Sequence, residues 1–214
     1  IQTCLDKGGN QVILSSIMEG STEYTTESLL FLKSLIHINL TRQTTFLFED
    51  QDDLCQIFRR ILYFCADGKL TERYAAGGCL SKVIRFCPNF MLNFLIADGE
   101  VLAFLKMSPD DLDQFSDTAD LAFIGIIADL LSLDDDKLSK DLIKALFVMS
   151  KRFDDMDHMH EFREECALYN IEEKVNYVTE KTKNESLYEL GDSFVLAAFG
   201  TLPFSETDMP LHLS

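Results

Sequence analysis

Asp134, Asp135 and Asp136 stand together inside the stretch FIGIIADLLSLDDDKLSKDLIKALFVMSKRF. Hard cations favour sites with several carboxylate oxygens, but a calcium loop alternates its ligands and places a Gly at its sharp turn. Neither feature occurs here, so the spacing predicts a solvated turn, with Asp136 or a neighbour accepting the free N–H groups that open the next helix. HMHE, at 158–161, offers two imidazoles and a carboxylate. Its His residues are two apart and point to different sides of a helix, which predicts separate solvent-facing side chains, not shared ligation. AAGG, at 75–78, has neither the phosphate-loop spacing nor its Lys-Ser/Thr end, and predicts close helix approach instead. The chain has no G-x-S-x-G, no nucleotide fingerprint and no recognisable Cys/His nucleophile setting. No enzyme is expected, and no motif calls for a cofactor or a metal.

The six cysteines form no CxxC pair and no zinc-ligand spacing. Runs such as LYFCAD and GGCLSK predict reduced, buried thiols of a cytosolic or nuclear protein. At 214 residues and 47% hydrophobic, the chain can bury a real core. Only Pro88 and Pro109 precede residue 200, and this scarcity of breakers favours an all-helical chain. No apolar run reaches the length of a membrane span, and no secretory leader opens the sequence. The start at Ile1 suggests a piece of a longer protein. The net charge of −17 argues against non-specific nucleic-acid binding and suits solubility or basic partners.

These elements recur as a unit of short helix, Gly or Asp break, apolar middle helix, polar turn and longer helix. Middle helices are expected to begin near residues 10, 52, 100, 122 and 168. Steps of about 42 to 48 residues are those of armadillo or HEAT repeats, and the one step of about 22 marks the third unit as irregular. The long helices are expected in TTESLLFLKSLIHIN, TERYAAGGCLSKVIRF, KLSKDLIKALFVMSKRF and the segment after TKNE, whose T-x-x-E form matches a capping box. In the third of these, Leu138, Leu142, Ala145, Leu146 and Met149 recur at three- and four-residue steps, giving one apolar face. A single hairpin cannot cover that face, so neighbours must stack on it. The expected fold is all-α, a right-handed α-solenoid over residues 1–200. The Pro- and Ser-containing tail TLPFSETDMPLHLS, residues 201–214, is expected to be extended or disordered.

DGEVLAFLKMS and LAFIGIIADLLSLDDDKLSKDLIKALFVMS resemble the middle- and long-helix pattern of armadillo repeats. ECALYNIEEKVNYVTEKTKNESLYEL is similar to the last repeat of the importin-alpha family of nuclear import adaptors. Glu165, Leu168, Ile171, Glu172, Asn184, Glu185 and Tyr188 fall at that repeat's marked places. The resemblance implies nuclear-localisation-signal cargo, importin-beta and a recycling exportin as partners, in cytoplasm and nucleus, with an importin-beta-binding arm N-terminal to this chain. In that family, a W-x-x-x-N pair on each long helix grips a basic peptide. This chain has no Trp. Phe147 and Lys151 stand at the pair's positions in the fourth unit, and Lys33 and His37 stand there in the first. In the second, either Gly78 and Lys82 or Ser81 and Arg85 do so. His37 has two readings, a packed core histidine or a groove contact, and Phe147 likewise is core or ligand platform.

The candidate peptide- or protein-binding residues are therefore Lys33, His37, Lys82, Arg85, Phe147 and Lys151. Their long helices carry mostly Lys and Arg, while acid concentrates in the turns at 49–53, 110–113, 134–136 and 154–157. This predicts a basic or neutral inner face with acidic rims, except on the last long helix with Glu185, Glu189 and Asp192. The expected function is a non-enzymatic interaction scaffold of importin-alpha type. The alternative is an armadillo co-chaperone or cytoskeletal regulator that clamps a folded domain.

Overall fold

The computed structural model describes residues 17, 25–42, 51–86, 92 and 123–200. Eight helices run through them, with no strand among the described residues. They are α1 (Thr25–Arg42), α2 (Gln51–Asp67), α3 (Leu70–Phe86), α4 (Phe123–Leu131), α5 (Asp136–Asp155), α6 (Met159–Leu168), α7 (Ile171–Lys181) and α8 (Glu185–Phe199). The middle helices expected near 52, 122 and 168 are α2, α4 and α7. Those expected near 10 and 100, the irregular third unit, and the 201–214 tail fall outside the described residues.

Breaks between helices follow backbone chemistry. Asp134, Asp157 and Asn170 take positive φ at the turns before α5, α6 and α7, a conformation that Asp and Asn tolerate better than other side chains. Glu72 in the first turn of α3 accepts the Lys69 N–H at 2.8 Å, half of a capping box, and this partner makes its burial tolerable. At α8 the expected box does not form. Asn184 is the N-cap, without a side-chain cap bond. The Thr182 hydroxyl instead donates to Asp136 at 2.8 Å and accepts the Asn184 N–H at 3.1 Å.

Contacts arrange the helices in two rows. The long ones touch in sequence, α1 to α3, α3 to α5 and α5 to α8. On one side α2 meets α4 and α4 meets α7, and within each hairpin α2 packs on α3, α4 on α5 and α7 on α8. Between the rows lies one apolar core, in which the rings of Phe58 and Phe123 lie 6.1 Å apart and those of Phe153 and Phe162 5.4 Å apart. The apolar series of α5 is fully buried, from Leu138 through Leu142, Ala145 and Leu146 to Met149. Where AAGG crosses this core, a β-carbon on Gly77 would lie 2.9 Å from a Leu138 methyl, so the small residues do permit close approach of α3 and α5.

Candidate protein-interaction face

Burial assigns each long helix an outward stripe. On α5, everything from Leu138 to Phe153 at core spacing is covered. That leaves Lys137, Lys140, Asp141, Lys144, Phe147 and Lys151 at the three- and four-residue steps of the opposite side. On α3 the covered set includes Ser81, whose hydroxyl donates to the Gly78 carbonyl at 2.9 Å. Ser81 thus turns inward, while Lys82 and Arg85 are both half-buried. On α1 the half-buried Lys33 and the exposed Leu30 face out.

The structure brings several of these residues together. Lys33 Nζ lies 2.7 Å from Asp141 Oδ2, 108 positions away in sequence. The ion pair spans α1 to α5 and passes over α3 at Gly78. A β-carbon there would meet Lys33 Nζ at 2.6 Å, so the missing side chain is what opens the path. Lys82 sits within the same group. Partial burial pushes its ammonium below the ordinary lysine value, Asp141 opposes the shift, and Arg85, Lys33 and Lys144 add to it. Lys33, Arg85, Lys144 and Asp141 thus all lie within electrostatic reach of Lys82, and Asp141 already serves Lys33.

Next to this cluster, toward the N-terminal ends of the same three helices, lies a groove of about 310 Å³. Thr26, Leu30 and Lys33 of α1, Thr71, Tyr74 and Ala75 of α3, and Lys137 and Leu138 of α5 with its cap Asp135 line it. Lys33 is common to groove and cluster. The Tyr74 hydroxyl donates to the Leu133 carbonyl at 3.2 Å, which holds the ring in place.

Other candidate residues are placed differently. Phe147 is packed against the core, half-buried, and Lys151 Nζ lies 4.2 Å from its ring centroid. The two satisfy each other as a cation–π pair. The helix of His37 is described, but its side chain lies outside the described residues. Asp141, Lys144, Leu30 and Tyr74 were not marked as binding residues by the sequence. The outward stripe of α5 could have flagged the first two, but nothing local marks the groove.

The polar clusters have structural duties. Asp135, rather than Asp136, caps α5 by accepting the Leu138 N–H at 2.6 Å. Asp134 accepts from Lys181 at 2.6 Å and Asp136 from Thr182, so these two aspartates tie the start of α5 to the end of α7. His158 pairs with Glu161 at 3.2 Å and His160 with Glu164 at 3.5 Å, two separate contacts. Among the described residues no three His, Cys, Asp or Glu are placed to hold a metal ion. Cys65, Cys79 and Cys166 are free and buried. Burial pushes the Cys79 thiol up to about 12, against the influence of Lys33, and raises the other two as well.

Along the row the charge then changes sign. Glu185 and Glu189 are exposed on α8, and partial burial raises the Asp192 carboxyl. Among the described residues the row of long helices thus carries Lys33, Lys82 and Lys144 on α1, α3 and α5, and Glu185 and Glu189 on α8. Acidic turns at 134–136 and 154–157 flank it, while the turns at 49–53 and 110–113 lie outside the residues whose side chains are described. No helix among the described residues is long and apolar enough to cross a membrane. Comparison with known proteins finds no matching family model, no matching curated protein and no matching solved structure.

Proposed function

We propose that this chain is a non-enzymatic interaction scaffold, an α-solenoid of armadillo type that binds an extended segment of a partner protein across its row of long helices. The observation that carries this reading is the shared surface of α1, α3 and α5. A groove of mixed apolar and polar lining and a charged cluster lie side by side on it, each drawing residues from all three helices. Repeat scaffolds use such multi-helix surfaces because each unit contributes one strip of a long contact. The self-paired Phe147 and Lys151 fit contact along the surface better than deep enclosure of a substrate.

The resemblance to importin-alpha suggests a basic localisation peptide as ligand, with importin-beta and a recycling exportin as further partners. The cations of α1, α3 and α5 weigh against a basic peptide on this part of the face, because like charges brought together are repelled. The adaptor reading then fits best on the acidic surface of α8. Titrating labelled peptides of acidic, neutral and basic composition by fluorescence anisotropy tests the scaffold reading. One class should bind saturably, and Leu30→Glu, at a residue 51% exposed and so tolerant of change, should weaken it. Absence of saturable binding by every class, or binding indifferent to Leu30→Glu and Lys144→Glu alike, would overturn it.

A further inference from the structure

We infer that the segment bound across α1, α3 and α5 is acidic, an extended stretch with carboxylates about three residues apart and an apolar side chain for the groove. This rests on the scaffold reading above. The argument begins with charge complementarity. Lys33, Lys82 and Lys144 lie on three successive helices of the row, with Arg85 near Lys82 and Asp141 as the carboxylate that acts on Lys82. Among the described residues Lys82 and Lys144 make no ion pair of their own. Lys33 and Lys144 each repel Lys82, and a counter-charge arriving among them relieves that repulsion.

Spacing supplies the second step. Packed helix axes lie about 8–10 Å apart, and a segment in the extended polyproline-II form advances about 3.1 Å per residue with three residues per turn. A segment crossing the row therefore presents every third side chain to a new helix. Lys33, Lys82 and Lys144 are rooted on three successive helices, so acidic residues at that interval can reach each of them once Lys33 leaves Asp141. The groove provides the third step. Leu30 lies three positions before Lys33 on α1, and Tyr74 and Ala75 lie about two turns before Lys82 on α3. An apolar side chain of the same segment can enter there while its neighbours reach the cations.

Asp141 has a distinct part. It holds Lys33 when no ligand is present, a half-exposed pair with side chains 24% and 23% accessible. A ligand carboxylate competes for the same ammonium, so Asp141 acts as an internal stand-in for the partner. Removing its charge frees Lys33 and removes a repulsion at once.

The test uses the full chain and a fluorescein-labelled peptide of about twelve residues, enough to span the row, with Glu at every third position and one central Leu. Three controls accompany it: the same composition with its Glu residues contiguous, a Lys-for-Glu version, and a neutral Ser version. Titrations run near physiological salt, where the Debye length is about 8 Å and distant charges are screened. The spaced acidic peptide should bind at least about tenfold tighter than each control. Asp141→Asn should tighten it about threefold and Lys144→Glu weaken it about tenfold, with unchanged helical signal in both variants. Because Lys144 is exposed, its substitution reports on binding without loss of fold. Tighter binding of the Lys version, or equal binding of spaced and contiguous acid, would overturn the acidic reading and leave the scaffold intact. Saturable binding by none of the four would overturn both.

Discussion

Helices α5 and α8 lie against each other in the same row and are built by the same burial rule, yet their outward faces carry opposite charge. On α5 the exposed stripe presents Lys137, Lys144 and Lys151, while on α8 it presents Glu185 and Glu189. The seam between them is a neutral-to-cation contact, Lys140 Nζ donating to Ser186 Oγ at 2.8 Å. Burial fixes which side of a helix faces out, but it leaves the charge of that side open. The row is thus one structural surface with two electrostatic halves, and a long ligand laid across it would have a preferred direction.

The most damaging change is one that loosens the frame common to both halves. Phe153 is buried on α5 and stacks on Phe162 of α6. Phe153→Ala should cost about 3–5 kcal/mol in a urea unfolding series, whereas Lys144→Ala on the surface should stay within about 0.5 kcal/mol. Equal costs would mean that α5 is not anchored as described.

Alkaline titration probes what lies beneath the cationic half. Cys79, whose thiol donates to the Leu29 carbonyl at 3.0 Å, has a folded-state value raised from 9.0 to about 12. The folded state keeps its proton where the unfolded state has lost it. Its contribution to stability is therefore complete below pH 9.0 and is lost as pH rises toward about 12. The slope attributable to this one group is at most about 1.4 kcal/mol per pH unit. Denaturation at pH 8 and pH 10 should show a smaller decline in Cys79→Ala than in the parent chain.

Helix starts sharpen the contrast further. Asp135→Ala removes a formed cap on α5 and should cost about 1 kcal/mol. Asn184→Ala on α8 removes no side-chain cap bond and should cost only a few tenths by the same measure. The smallest effect belongs to the pair that marks the cluster. A double-mutant cycle on Lys33→Ala and Asp141→Ala should give a coupling of about 0.2–1 kcal/mol, reduced by salt, as expected for a solvent-accessible ion pair.

Much of this was legible in sequence where the physics is local. The three- and four-residue recurrence of Leu138 through Met149 located α5 and its buried side, and the aspartate run located its start. The assignment of the cap to Asp136 or a neighbour left a choice. Asp135 takes it because Asp134 adopts positive φ and turns the chain one residue earlier. The register of α3 was ambiguous because Ala75, Ala76, Gly77 and Gly78 give small residues on every side and so no periodic contrast. TKNE failed as a capping box because the Thr182 hydroxyl found a stronger, non-local partner in Asp136. Least legible was the Lys33–Asp141 pair. It joins residues on two helices across a third and depends on the side chain that Gly78 lacks.

Lysine footprinting tests the central claim most directly. The chain is methylated under limiting reagent with and without the spaced acidic peptide, and modification at each lysine is read by mass spectrometry. The account predicts protection at Lys82 and Lys144 on the long-helix row, with Lys174 and Lys183 near α7 unchanged. Protection concentrated at Lys174 and Lys183, or spread evenly over all lysines, would contradict it.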